Sequence, residues 1–256
     1  MQLTADYHTH TQYSHGKGTV LENAVQAKEV GLKEIGITDH GFSHIIFGVR
    51  RKQIPFLVRD CRDAEARTGV KVLVGIESNI RGESGLCDLT PSDYENFDLY
   101  LAGVHVMIRT EKCSDTKINF GGYMRRKLKI KPSKSIVRAT TQAYINAVKK
   151  NPIDVITHLN FQCFCDPVEV AKCCRDYGTY LEISSKKHHL SDDELAAVAA
   201  TGVRFVVNSD AHGIDRIGDT KLCEPQILRV GIPFSQIDNI EGRLPAFRFA
   251  EFKKRM

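Results

Sequence analysis

No apolar run in the 256 residues is long enough to cross a bilayer, which excludes a transmembrane helix. The opening MQLTADYHTH lacks a basic start, an apolar stretch and a cleavage site, so no secretion signal is expected. The eight cysteines are unevenly spaced in a chain too long to depend on stapling. A disulfide framework is therefore not expected; reduced thiols and a cytoplasmic location are. No glycine-rich dinucleotide fingerprint follows any strand pattern, since GITDHG and NFGGYM do not fit one. No stacking-rich platform for single-stranded nucleic acid is present; Tyr123 in GGYMRRK is the one aromatic in suitable company. No internal repeat or low-complexity linker marks a second domain. Residues 1–256 are expected to form one domain with a sizeable core.

With 42% hydrophobic and 26% charged residues, the composition is that of an ordinary globular protein. Short β-branched runs alternate with amphipathic stretches. Strands are predicted at 3–8, 33–40, 70–77, 97–105, 154–158, 179–184 and 203–212. Helices are predicted at 19–31, 52–68, about 134–150, 167–177 and 191–202, with a last one in the tail FRFAEFKKR. Thr19 with Glu22, and Ser191 with Glu194, have capping-box spacing, and Gly31 ends the first helix. Strict β-α alternation implies a parallel sheet with right-handed crossovers. Seven or eight units in this length favour closure into an α/β TIM-like barrel over an open doubly wound sheet.

Seven of the ten histidines fall at or just after strand ends: His8, His10, His15, His40, His105, His158 and His212. Only His44, His188 and His189 lie elsewhere. Glu77 closes strand three, and Asp39 and Asp210 stand beside His40 and His212. Taken singly, His105 or His158 reads as a structural histidine, and Asp39 as a cap or turn residue. Glu77 is harder to dismiss, because a carboxylate after a buried run needs a partner. Taken together they read as a metal site, because a parallel barrel brings all its strand ends to one mouth. A donor set this rich in nitrogen suits Zn, Mn or Fe rather than Mg or Ca. So many candidates imply two or three ions.

In their order, HTHT…SHG, TDHG, GIE, VH, ITH and NSDAH resemble the polymerase and histidinol phosphatase (PHP) family, over most of the chain from His8 to His212. The resemblance implies a distorted (β/α)7 barrel whose metal centre, at the C-terminal ends of the strands, hydrolyses phosphoesters. It implies one ion at His8, His10, Glu77 and Asp210, and a second at His105 and His158 with Glu77 bridging. It implies a third at His15, His40 and His212. The implied nucleophile is a metal-bound hydroxide attacking in line at phosphorus, with Asp210 and His212 beside it and no serine or cysteine nucleophile. Asp39 either orients His40 or caps a turn.

Net charge is +5, but residues 109–134 carry nine Lys/Arg against Glu111 and Asp115, so the remainder sums to −2. This basic segment, a loop at about 109–133, leaves strand four at the expected mouth. Arg109, Arg125 and Arg126, with Lys127 and Lys129, are candidates for binding anionic groups of a substrate. Lys186, Lys187, His188 and His189 either flank the mouth or stay solvated. Cys163, Cys165, Cys173 and Cys174 read as buried thiols rather than a second metal cluster, since adjacent cysteines on a helix diverge.

The expected function is a metal-dependent phosphoesterase acting on a small phosphomonoester. Histidinol-phosphate phosphatase is one form of it. The basic segment favours as an alternative an enzyme acting on a nucleotide or nucleic-acid end, marked by salt-dependent binding. A non-catalytic, metal-stabilised binding module is the third reading; the intact ligand set argues against it.

Overall fold

The computed structural model describes residues 1–256. Seven parallel strands pair strictly in chain order: β1 Ala5–Thr9, β2 Glu34–Ile37, β3 Lys71–Asn79, β4 Leu99–Gly103, β5 Val155–Ile156, β6 Tyr180–Ser184 and β7 Phe205–Asn208. Helices follow nearly every strand: α1 Val20–Glu29, α2 Ile54–Thr68, α3 Gly122–Lys127, α4 Lys134–Lys150, α5 Pro167–Tyr177, α6 Asp192–Ala199, α7 Cys223–Val230 and α8 Arg248–Lys253. The expected alternation holds, and both predicted capping boxes form. The predicted strands overrun their ladders because the chain turns sharply at the mouth. His158 and Asp210 have φ of 28° and 47°, left-handed values that end β5 and β7 early.

The first and last strands meet through a single parallel bridge, Thr9 to Ala211. Below it the seam is filled by Asn239. Its amide donates to Ala5 O (2.8 Å) and Val207 O (2.6 Å), and its Oδ1 accepts from Val207 N (2.9 Å). The barrel is therefore nearly closed by a side chain standing in for a strand.

Inside the barrel, Ala5, Tyr7, Leu99, Leu101, Val155, Tyr180 and Val206 form an apolar layer. Phe247 stoppers it from below, edge-on to Tyr7 at 4.8 Å between ring centroids. The larger cluster lies between sheet and helices. In β1 the register shifts between Asp6 and Thr9, where three residues of the strand advance against two of β2. This bulge resets the alternation, so Tyr7 joins the apolar layer while the adjacent His8 also points inward, to Glu182 of β6.

The segment expected as a basic loop is largely helical. A π-helical turn, Lys117–Gly121, runs directly into α3. Buried Ile118 anchors it, and Asn119 Nδ2 donates to His105 O at 2.8 Å. The dense lysines and the Gly121-Gly122 pair hide this short helix from periodicity. α7 was also unsignalled, being eight residues long with Pro225 in its first turn. All eight cysteines are free thiols, seven of them buried.

Candidate metal centre

The C-terminal mouth gathers every metal-competent residue expected there. Glu77, fully buried, stands at the centre. His158 Nε2 lies 2.7 Å and His105 Nε2 2.9 Å from its Oε1, and the two imidazole nitrogens are 3.3 Å apart. His8 Nε2 is 3.3 Å from the same Oε1, and His10 Nε2 is 3.8 Å from Oε2. Asp210 Oδ1 completes this group, 3.4 Å from His10 Nε2 and 3.8 Å from His8 Nε2. Donors held about 2.0–2.1 Å from a tetrahedral ion are separated by roughly 3.3–3.4 Å. The observed spacings bracket that value.

His40, His10 and His212 form a further group of mutually close donor atoms. His15 stands beside it: its ring stacks on His40 at 4.8 Å between centroids and meets His212 edge-on at 4.1 Å. The structure thus brings His15 to the cluster, while the group of mutually close donors around His40 and His212 includes His10 and not His15. His212 Nδ1 lies 3.0 Å from Asp210 O.

These donors are prepared for a cation rather than a proton. His40 Nδ1 and Glu77 Oε2 approach to 2.8 Å, yet neither has a hydrogen-bond partner. Burial lowers His40 to about 3 and His15 to about 4, and lowers His10 and His212, so these rings are neutral. Burial alone would raise Glu77 and Asp210, but the surrounding imidazoles outweigh it and hold both carboxylates ionised. His8 is the exception. Burial would lower it, but Glu182, Glu77 and Asp210 together raise it well above an ordinary histidine. A cation arriving there displaces a proton.

Two residues beyond those singled out from the sequence complete the site. Glu182 Oε1 meets His8 Nδ1 at 2.7 Å and accepts from Asn208 Nδ2 at 3.0 Å, while Oε2 accepts from His158 N at 2.8 Å. It orients one ligand ring and one ligand backbone. Its signal was a carboxylate inside a buried strand, YLEIS, matching Glu77 in VLVGIE. His44 also reaches the rim; its ring lies 5.1 Å from that of His40. Of the residues after β6, Lys186 enters the site, its Nζ 3.1 Å from Asp210 and from His212 Nδ1. His188 turns away to Gln226.

Asp39 does not touch the His40 ring. Its buried carboxylate accepts from Thr11 N (2.8 Å), Thr11 Oγ1 (2.6 Å) and Ser14 Oγ (2.5 Å). It therefore organises the turn that delivers His15, the second of its two expected roles. Burial pushes its carboxyl up to about 6. Arg125 and Arg126 line a separate basic cavity beside the mouth, whereas Arg109 is exposed and lines neither space. Cys163 and Cys165 are buried and belong to no metal-competent group.

The PHP domain family model matches residues 6–188. A protein of Caldanaerobacter subterraneus subsp. tengcongensis named a probable phosphatase is 31% identical over 227 residues, covering 83% of this chain and 77% of its own. A probable phosphatase of Vibrio campbellii is 29% identical, covering 93% of this chain and 88% of its own. Among solved structures, the fold is similar to that of histidinol phosphate phosphatase from Lactococcus lactis subsp. lactis, complexed with zinc, L-histidinol and phosphate. The TM-score is 0.61 at 16% identity, over 93% of this chain and 97% of that one.

Proposed function

Because this chain belongs to the PHP domain family, we propose that it is a metal-dependent phosphoesterase that hydrolyses a small phosphomonoester. The observation that carries the reading is Glu77, whose Oε1 is shared by His8 and by the His105–His158 pair while Oε2 faces His40, so that one carboxylate would serve more than one cation site. One ion is assigned to His8, His10, Glu77 and Asp210, and a second to Glu77, His105 and His158. A third is assigned to His15, His40 and His212. The imidazole-rich donor set favours zinc, with manganese or iron as the other candidates. When bound, the ions supply a water acidified enough to attack phosphorus at neutral pH and neutralise the phosphate oxygens.

The chain's own residues do the rest. Glu182 fixes the His8 ring, so the donors do not reorganise during turnover. Asp210 and His212 are assigned the places beside the reacting phosphorus, with His212 Nδ1 3.0 Å from Asp210 O. Lys186 brings a further positive charge to the same edge. Oxyanions of a phosphoryl group entering the mouth, a space of about 240 Å³, meet these groups first.

Metal-loaded protein is expected to release phosphate from p-nitrophenyl phosphate, to lose that activity on chelation and to regain it with zinc or manganese. Loaded protein that hydrolyses no monoester in a metabolite panel would sink the reading. A nucleotide or nucleic-acid end is the second reading, favoured by the basic cavity; its mark is activity that falls steeply with salt. Histidinol phosphate fits less well, because its amine would face that cavity's cations.

A further inference from the structure

Next to the mouth lies a larger cavity of about 580 Å³, walled by α3, the chain after it and the residues following β5 and β6. Six cationic side chains line it: Arg125, Arg126, Lys127, Lys129, Lys131 and Lys187; no carboxylate does. None of the six is paired with an acid elsewhere. Arg125 donates to Lys131 O, and Arg126 donates through Nε to Cys163 O at 2.7 Å while its guanidinium lies over the Phe164 ring. Like charges crowded around one space repel unless an anion enters it.

A second observation points to a ligand. His189 lines this cavity, and both its ring nitrogens are buried without a hydrogen-bond partner. Such a ring costs free energy until something bonds to it. Its position is also informative: 5.8 Å from the His158 ring and 4.9 Å from Phe161, between centroids. Phe161 and Gln162 line both this cavity and the metal mouth. The two spaces therefore adjoin across Phe161 and Gln162.

Resting on the phosphoesterase reading, we propose that the substrate is a bisphosphate: one phosphoryl group is hydrolysed at the mouth while the other is held in the basic cavity. A carboxylate, with one negative charge, would leave most of the cavity's charge uncompensated. A phosphate brings up to two charges and three acceptor oxygens. In the reaction water forms the new P–O bond and the P–O bond to the substrate's alkoxy oxygen breaks. That oxygen takes a proton, and the organic product keeps its second phosphate.

The test uses a graded series of α,ω-alkanediol bisphosphates, each paired with the alkyl monophosphate of equal length, and metal-loaded full-length protein. At the chain length matching the span, KM for the bisphosphate is expected to be roughly tenfold lower than for its monophosphate. In a Lys129→Ala, Lys187→Ala double variant the ratio falls to about one. Bisphosphonates and monophosphonates of the same lengths, which cannot be hydrolysed, give the same comparison by calorimetry, independent of turnover. Equal KM values or equal affinities at every length would overturn the proposal, as would a preference that survives the double variant. Tighter binding of a 5′-phosphorylated oligonucleotide than of any bisphosphonate would overturn it in favour of a polymer. Failure to hydrolyse even the monophosphates strikes instead at the phosphoesterase reading, and the calorimetric ratio still decides this one.

Discussion

Glu182 holds two ligand-bearing residues with one carboxylate, and it can be removed without emptying the mouth of donors. Glu182→Gln keeps the shape but loses the charge that fixes the His8 ring. Metal affinity, read by competition with a chromogenic chelator, is expected to fall roughly 10- to 100-fold; unchanged affinity would show that the ring is held by packing. A second buried carboxylate, Asp154, lies at the N-terminal end of β5, the end opposite the mouth. Asp154 accepts from Tyr100 N (2.9 Å) and Phe249 N (2.8 Å), yet burial outweighs both bonds and pushes it up to about 7. An acid raised on folding stabilises fully below its unfolded value and loses that contribution as pH rises through its folded value. Denaturant unfolding of wild type and Asp154→Asn in parallel is therefore expected to show the wild-type advantage shrinking between about pH 4 and pH 7. A constant difference would mean that Asp154 is ionised throughout. The nine candidate ligands were legible because they sit where strands end, a position that topology converts into proximity. Glu182 was not, since its role depends on which neighbour faces it across the barrel.

The elements were legible where local chemistry repeats: capping boxes at Thr19 and Ser191, the left-handed Gly31 after α1, and apolar runs in the strands. What escaped were departures from period. The bulge in β1 makes Tyr7 and His8 share a face, which no alternation predicts. Loops at the mouth are shaped by buried polar groups rather than by pattern, and Asp39 shows how. Its three bonds fold the 11–14 turn so that His15 arrives over His40. Asp39→Ala is expected to leave the barrel intact by circular dichroism while lowering bound metal per chain, measured by elemental analysis, because the assigned third site loses its outer ligand. Retained stoichiometry would place that ion on His10, His40 and His212 alone.

Across the whole molecule, strand order equals chain order, so the ring has a single seam, between β1 and β7. Asn239 fills that seam, and Asn239→Ala strands three buried backbone groups. The expected loss is about 2–4 kcal/mol in urea unfolding, each unpaired group costing about 1–3 kcal/mol less what water recovers. A loss below about 0.5 kcal/mol would mean the strands close without it. The same topology joins the ends of the chain at the site of chemistry. His8 and His10 stand on one lip of the gap, Asp210 and His212 on the other, some two hundred residues away in sequence. Any cation shared between those lips works as a buckle as well as a reagent: it fastens a loop nearly as long as the protein, so occupancy and mechanical integrity of the ring rise and fall together.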